Sequence, residues 1–161
     1  MKLFVTVGTT KFLLLIEKIQ SEEFQLQLLA LGFKTMSIQH GTSPCEPAQT
    51  KLEIKKFNFK PSISKEIHSA DLVISHMGAG TILERLRKNN SNCIGVVNTS
   101  LMDNHQQELG DALADYIWIA NVKDLGCVLK QALKLNLTKK RLPTPDPKPF
   151  QVIIERILRF V

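Results

Sequence analysis

A glycine-rich segment has the composition of a ligand-binding turn. Residues 74–81 read ISHMGAGT and join an apolar run to a segment of helical period. Glycines at the carboxyl end of a parallel strand leave space, and ligands of open α/β sheets bind at that place. A third glycine at the required spacing is missing, so the segment is not the dinucleotide-binding fingerprint. The residues of this turn are Gly78, Ala79, Gly80 and Thr81, and the two glycines clear space for a ligand.

A carboxylate follows this turn at a spacing that suits a ribose. Glu84 lies four residues after Gly80, about one turn into the predicted helix. From there its side chain can point back towards the start of the helix and accept two hydrogen bonds from a ribose diol. The alternative is an exposed helix glutamate with no binding role.

A polar run enters the next predicted helix. Residues 101–109 read LMDNHQQEL and contain five consecutive hydrogen-bonding residues, namely Asn104, His105, Gln106, Gln107 and Glu108. Amide side chains both donate and accept hydrogen bonds, which suits the hydroxyl groups of a sugar. A solvated helix start is the alternative interpretation.

The turn after the first predicted strand is a further candidate anion site. It reads Gly8-Thr9-Thr10, and it combines a permissive backbone with two hydroxyl groups at the start of a predicted helix. Any α/β domain needs a turn at this point, and Thr10 could instead be the N-cap of that helix.

Short apolar, β-branched runs alternate with segments of helical period along the chain. This pattern predicts an α/β fold with a Rossmann-like parallel sheet and flanking helices. The predicted strands are residues 2–7, 35–39, 52–57, 71–75, 93–97 and 116–120. The predicted helices are residues 11–20, 23–31, 62–69, 81–89, 104–113 and 122–135. Each candidate site follows a predicted strand.

The chain divides into one domain, residues 1–141, and a tail, residues 142–161. The tail contains four of the seven prolines and ends in a predicted amphipathic helix. The apolar stripe of that helix consists of Phe150, Ile153, Ile154, Ile157, Leu158 and Val161. The helix could pack on its own sheet or cross to a partner.

The composition excludes several classes of function. A net charge of +6 favours anionic partners, but 6% aromatic residues and no basic tract among stacking residues argue against nucleic acid. Three unpaired cysteines indicate neither a disulfide framework nor a zinc site, and they suggest a reducing compartment. The apolar stretch at residues 3–7 is too short for a signal peptide or a membrane span.

Three segments together resemble a known enzyme family. They are VTVGTT at residues 5–10, ADLVISHMGAGTILE at residues 70–84 and LMDNHQQELGDAL at residues 101–113. The sequence closely resembles the catalytic subunits of the UDP-N-acetylglucosamine transferase of eukaryotic asparagine-linked glycosylation. It more distantly resembles the donor-binding domain of the bacterial lipid II glycosyltransferase. The resemblance covers residues 1–114 and implies the C-terminal half of a GT-B glycosyltransferase, with residues 1–141 as the domain that binds the nucleotide-sugar donor.

The resemblance also implies roles for the candidate residues. Residues 78–81 would hold the diphosphate, and Glu84 would hold the ribose. Gln106 and Gln107 would read the transferred sugar, with Asn104 and His105 beside them and residues 8–10 facing the same cleft. His76 and His105 are the candidate general bases, but His76 could equally be structural. The base could also belong to a partner chain.

The implied reaction is inverting transfer of N-acetylglucosamine from its UDP donor to N-acetylglucosaminyl-diphosphodolichol. A membrane-anchored second subunit would supply the other half of the enzyme and the site for the polyprenyl-diphosphate lipid, at the cytosolic face of the endoplasmic reticulum. The sequence contains no Asp-x-Asp triplet, so neither a metal nor a cofactor is expected. The alternatives are a nucleotide-sugar epimerase, which would need its complementary half in the same chain, and a non-catalytic nucleotide-binding adaptor.

The chain departs from the family pattern at three places. Met77 is bulkier than the small residue expected there, residues 89–92 lack the usual Gly-Lys-Pro-like turn, and Gly95 weakens a predicted strand.

Overall fold

The structure is a computed structural model that describes residues 1–87, 92–98, 105–134, 139–141 and 143. For residues 105–107 and 134 only the backbone is described. The described strands form one parallel sheet in the order β3-β2-β1-β4-β5-β6. They are β1 Lys2–Thr6, β2 Thr35–Gln39, β3 Glu53–Phe57, β4 Leu72–Ser75, β5 Cys93–Val96 and β6 Trp118–Ala120.

Helices follow every strand except β2, which residues 40–52 join to β3 without a helix. They are α1 Leu13–Gln20, α2 Glu22–Ala30, α3 Ser64–Ser69, α4 Ala79–Arg87, α5 His105–Leu113 and α6 Leu125–Lys134. The predicted α/β fold and every predicted element within the described residues are confirmed, with ends shifted by no more than three residues. The predicted helix at residues 150–161 lies outside the described residues.

The two faces of the sheet bury separate apolar cores. Leu3 and Val5 of β1 pack with helices α1, α2 and α6, whereas Phe4 packs with helices α3, α4 and α5. Alternate residues of a strand point to opposite faces, so the continuous apolar run of β1 fits a strand covered on both sides. The result is a three-layer arrangement with helices on both faces of the sheet.

The order of the strands places a topological switch point between β1 and β4. The chain proceeds from β1 outwards to β2 and β3, and then returns to β4 on the other side of β1. Thr6 and Ser75 are register partners at the carboxyl ends of these two strands. Ligands of open α/β sheets bind in the crevice outside such a point. The turns after β1 and β4 therefore flank the expected binding crevice.

No described helix is long and apolar enough to cross a membrane. Among the described residues, no cluster of three or more His, Cys, Asp or Glu side chains has a geometry that could hold a metal ion.

Candidate functional site

The imidazole of His76 lies between the two turns at the switch point. A Cβ atom built at Gly8 would lie 2.9 Å from His76 Cε1, and one built at Gly78 would lie 2.8 Å from the same atom. Real Cβ atoms do not approach neighbours this closely, so a side chain at either position would displace the imidazole. The backbone N–H of His76 donates to the Thr6 carbonyl at 3.1 Å. His76 therefore holds the turn after β1 against the turn after β4.

Burial favours the neutral form of this imidazole. Desolvation lowers the pKa of His76, and the Thr6 carbonyl, 3.3 Å from Nδ1, offsets part of that effect. The Nδ1–H tautomer, which donates to this carbonyl, leaves Nε2 unprotonated as an acceptor. The contacts with both glycine turns make His76 a positioning residue. Its candidate role as general base stays a prediction.

The turn after β4 opens onto the N-terminus of helix α4. Ala79 and Gly80 are exposed, and a Cβ atom built at Gly80 would have no atom within 4 Å. The first turn of α4 contains no acidic residue, so no side-chain carboxylate within that turn neutralises the partial positive charge of the helix end. Thr81 is half-buried in the same turn. The geometry suits the binding of an anion such as a diphosphate.

The turn after β1 is held by its own hydroxyl groups. Gly8 has a φ of 64°, and its N–H donates to Thr6 Oγ at 3.0 Å. Thr10 Oγ donates to the Val7 carbonyl at 2.8 Å, while helix α1 begins only at Leu13. Thr10 therefore stabilises the turn and is not the N-cap of α1. Thr9 and Thr10 are exposed at the crevice.

The turn after β2 packs behind the turn after β1. Gly41 has a φ of 58°, and a Cβ atom built there would lie 3.2 Å from the Gly8 carbonyl oxygen and closer still to the Thr10 carbonyl oxygen. A cavity of about 550 Å³ continues the carboxyl edge of the sheet from this turn to Asn58, the residue after β3. A separate cavity of about 410 Å³ lies along edge strand β3, and its lining contains none of the glycine turns.

Glu84 shares a cavity with the phosphate turn. A space of about 440 Å³ is lined by His68, Gly80, Leu83, Glu84 and Arg87. Glu84 Oε1 lies 3.5 Å from His68 Nε2, and 35% of each side chain is exposed. The structure thus brings Gly80 and Glu84 together on one wall, as the four-residue spacing predicted.

The residues proposed to read the sugar are only partly described. The backbone of helix α5 begins at His105, as predicted within one residue. Asn104 and the side chains of His105, Gln106 and Gln107 lie outside the described part of the chain, and their roles stay predictions.

Two residues of this region were missed from the sequence, His68 and Arg85. Arg85 is 1% exposed, and its guanidinium donates to carbonyl groups at the end of helix α3. Its spacing of three residues after the buried Ile82 marked it as a core-facing position. His68 lies before β4 in the chain. No sequence pattern around it indicates a contact with Glu84.

Comparison with known proteins identifies the family of this chain. The profile described as glycosyltransferase family 28 C-terminal domain matches residues 2–157, nearly the whole chain. The chain belongs to glycosyltransferase family 28. As a family 28 domain, its sheet corresponds to the C-terminal half of a GT-B glycosyltransferase, the half that the sequence predicted.

Curated members of this family show the same relationship. The chain is 33% identical over 168 residues to the UDP-N-acetylglucosamine transferase subunit ALG13 of Yarrowia lipolytica, covering 99% of this chain and 85% of the relative. It is 40% identical over 113 residues to the human subunit of the same name, covering 68% of this chain. The match spans only 10% of the human protein and 12% of its mouse counterpart.

Solved structures of similar proteins have the same fold. The NMR solution structure of ALG13 superimposes with a TM-score of 0.65 at 29% identity, covering 96% of this chain and 95% of that chain. The crystal structure of the glycosyltransferase of kitacinnamycin gives a TM-score of 0.61 at 16% identity, over 82% of this chain and 33% of that chain. At that identity the second similarity concerns the fold alone.

Proposed function

We propose that this chain is the donor-binding, catalytic subunit of a two-chain inverting glycosyltransferase. It would transfer N-acetylglucosamine from UDP-N-acetylglucosamine to N-acetylglucosaminyl-diphosphodolichol. One observation carries the proposal: the open N-terminus of helix α4 at Gly80 and the carboxylate of Glu84 line a single cavity. Family 28 membership and relatives named as UDP-N-acetylglucosamine transferase subunits support it.

The leaving group is the UDP diphosphate, whose negative charge grows as the bond to the sugar breaks. Backbone N–H groups of residues 78–81 would donate to its oxygens, and the positive end of helix α4 would stabilise the developing charge. Preorganised donors of this kind act most strongly in the transition state, and they supply the stabilisation without a metal or a cofactor. The proposal therefore includes neither.

Other residues of the chain would contact the ribose, the diphosphate and the sugar of the nucleotide-sugar donor. Glu84 would accept hydrogen bonds from the ribose hydroxyls, and the exposed hydroxyls of Thr9 and Thr10 would face the diphosphate across the crevice. Gln106 and Gln107, with Asn104 and His105, would read the N-acetylglucosamine. A general base, from this chain or its partner, would deprotonate the acceptor hydroxyl on the opposite face of the sugar.

The acceptor requires a second subunit. A GT-B enzyme binds its substrates between two Rossmann-like halves, and the described sheet is one such unit. A membrane-anchored partner would supply the second half and present the polyprenyl-diphosphate lipid at the cytosolic face of the endoplasmic reticulum. The fungal and human relatives are named as subunits, which supports an obligate partner.

A transfer assay tests this proposal. Membranes that contain the partner are assayed with labelled UDP-N-acetylglucosamine and the lipid acceptor, with and without this chain. Product should form only when both subunits are present, and Glu84→Gln should reduce the rate while Glu17→Gln, an exposed glutamate on helix α1, should not. A complex that forms but transfers no sugar would instead favour a non-catalytic adaptor.

A further inference from the structure

We infer that His68 is a positioning residue for Glu84 and that it thereby sets the preference of the site for a ribonucleotide over a 2′-deoxyribonucleotide. This inference rests on the proposed function, since it assumes that Glu84 faces the ribose of a uridine nucleotide. It adds a residue from a different helix to the donor site.

The His68 imidazole lies beside one oxygen of the Glu84 carboxylate. His68 Nε2 lies 3.5 Å from Glu84 Oε1, and both side chains line the cavity that contains Gly80. A glutamate on a helix surface otherwise samples several rotamers, each of which directs its carboxylate differently. An imidazole N–H beside Oε1 favours the rotamers that keep the carboxylate at the cavity wall. Oε2 would then be available to a ligand in that space.

Buried hydrogen bonds hold the two helices in this relative position. The Arg85 guanidinium donates from Nη1 to the Ile67 carbonyl at 2.6 Å and from Nη2 to the Ala70 and Asp71 carbonyls at 2.8 and 3.2 Å. Arg85 follows Glu84 directly on helix α4, and Ile67 precedes His68 directly on helix α3. Because these bonds are buried, the approach of His68 to Glu84 does not depend on the exposed pair itself. Exposed pairs contribute little to folding, so loss of His68 should leave the fold intact.

The guanidinium of Arg87 near the carboxylate makes the contribution of His68 testable. Arg87 also lines the cavity and lies three residues after Glu84 on the same helix. Without His68 the carboxylate is expected to turn along its own helix towards Arg87, away from the ribose. Loss of His68 should therefore weaken the hydrogen bond to the 2′-hydroxyl while the phosphate contacts at Gly80 stay in place.

The test compares UDP with 2′-deoxy-UDP by calorimetric titration of the full chain. The native chain should prefer UDP by about tenfold, the effect of one hydrogen bond to a charged group. His68→Ala should reduce this preference to about threefold or less through a loss of UDP affinity, with little change for 2′-deoxy-UDP. His68→Gln, whose amide can still donate to Oε1, should restore most of the preference. Lys65→Ala, an exposed change on the same helix, should behave as the native chain.

The other possible results of these titrations show which assumption is wrong. An unchanged UDP preference in His68→Ala, or an equal loss of affinity for both nucleotides, would overturn the positioning role. The same substitution should have no further effect in a Glu84→Gln background, and an additive effect there would also contradict it. If the native chain binds neither nucleotide, the proposed function fails. If it binds both equally, the ribose role of Glu84 fails, and this inference fails with it.

Discussion

The thioether of Met77 fills the space that Gly95 leaves open on the adjacent strand. A Cβ atom built at Gly95 would collide with Met77 Sδ and lie 3.5 Å from Met77 Cε. Met77 is 3% exposed and adopts a φ of 62°, which L-residues rarely do. The bulk at position 77 and the missing side chain at position 95 therefore compensate for each other. Two departures from the family pattern form one packing unit directly behind the phosphate turn.

This packing predicts a coupling between the two positions. Gly95→Ala should destabilise the domain by about 1–3 kcal/mol because the new methyl group overpacks the site. Met77→Ala should cost about 2–5 kcal/mol through loss of a buried side chain. In the double variant, Gly95→Ala should cost much less than it does alone, as measured by urea unfolding. Strictly additive costs would show that the two residues do not share this space.

Gly80 should be dispensable for folding but not for ligand binding. Its Cβ position is open, so the melting temperature of Gly80→Val should be close to that of the native chain. UDP at about one hundred times its Kd should raise the native melting temperature by about 5–10 °C, and this increase should vanish in the variant. Gly78→Ala is the matched contrast, because its methyl group would meet His76 and lower stability directly. Retained protection in Gly80→Val would move the phosphate site elsewhere, most plausibly to Gly8.

The burial of His76 predicts a pH dependence of stability. The pKa of His76 is lower in the folded chain than its unfolded value of about 6.5. At pH values between these two pKa values, the unfolded chain therefore binds more protons than the folded chain. The fold should therefore lose stability as the pH falls through that window. The free energies of unfolding of the native chain and of His76→Gln are compared at pH 8 and pH 5.5. The native chain should exceed the variant in stability by a smaller margin at pH 5.5 than at pH 8. A native advantage that grows in acid would mean that His76 is stabilised as a cation.

Much of this arrangement could be predicted because it depends on local patterns. The apolar run at β4 and the glycines after it indicate a buried strand and a ligand-facing turn, and Glu84 follows from helical spacing. The contact of His68 with Glu84 could not be predicted, since it depends on how α3 packs against α4. The Met77–Gly95 compensation was missed for the same reason: each residue by itself weakens the pattern, and only the parallel pairing of β4 and β5 brings them together.

The tail provides a prediction about assembly. The chain alone should be folded and inactive, and removal of residues 150–161 should abolish capture of the partner while the far-ultraviolet circular dichroism of the domain is retained. An amphipathic helix behind a proline-rich segment is a suitable element for joining two subunits. Deletion of residues 150–161, compared with truncation at Leu142 and followed by circular dichroism and a pull-down, tests this. A truncated chain that still captures its partner would place the interface on the domain body, and one that unfolds would assign the helix to the core.

The most direct test of the account is whether this chain alone carries the site for a uridine nucleotide. UDP and UDP-N-acetylglucosamine are titrated calorimetrically into the native chain and Glu84→Gln, and both proteins are also melted without ligand. Both nucleotides should bind the native chain. Glu84→Gln should lose about 1.5–3 kcal/mol of UDP binding free energy and keep its melting temperature, because a charged acceptor for the ribose is lost. Unchanged UDP affinity with a lowered melting temperature would make Glu84 a structural residue, and a native chain that binds neither nucleotide would contradict the account as a whole.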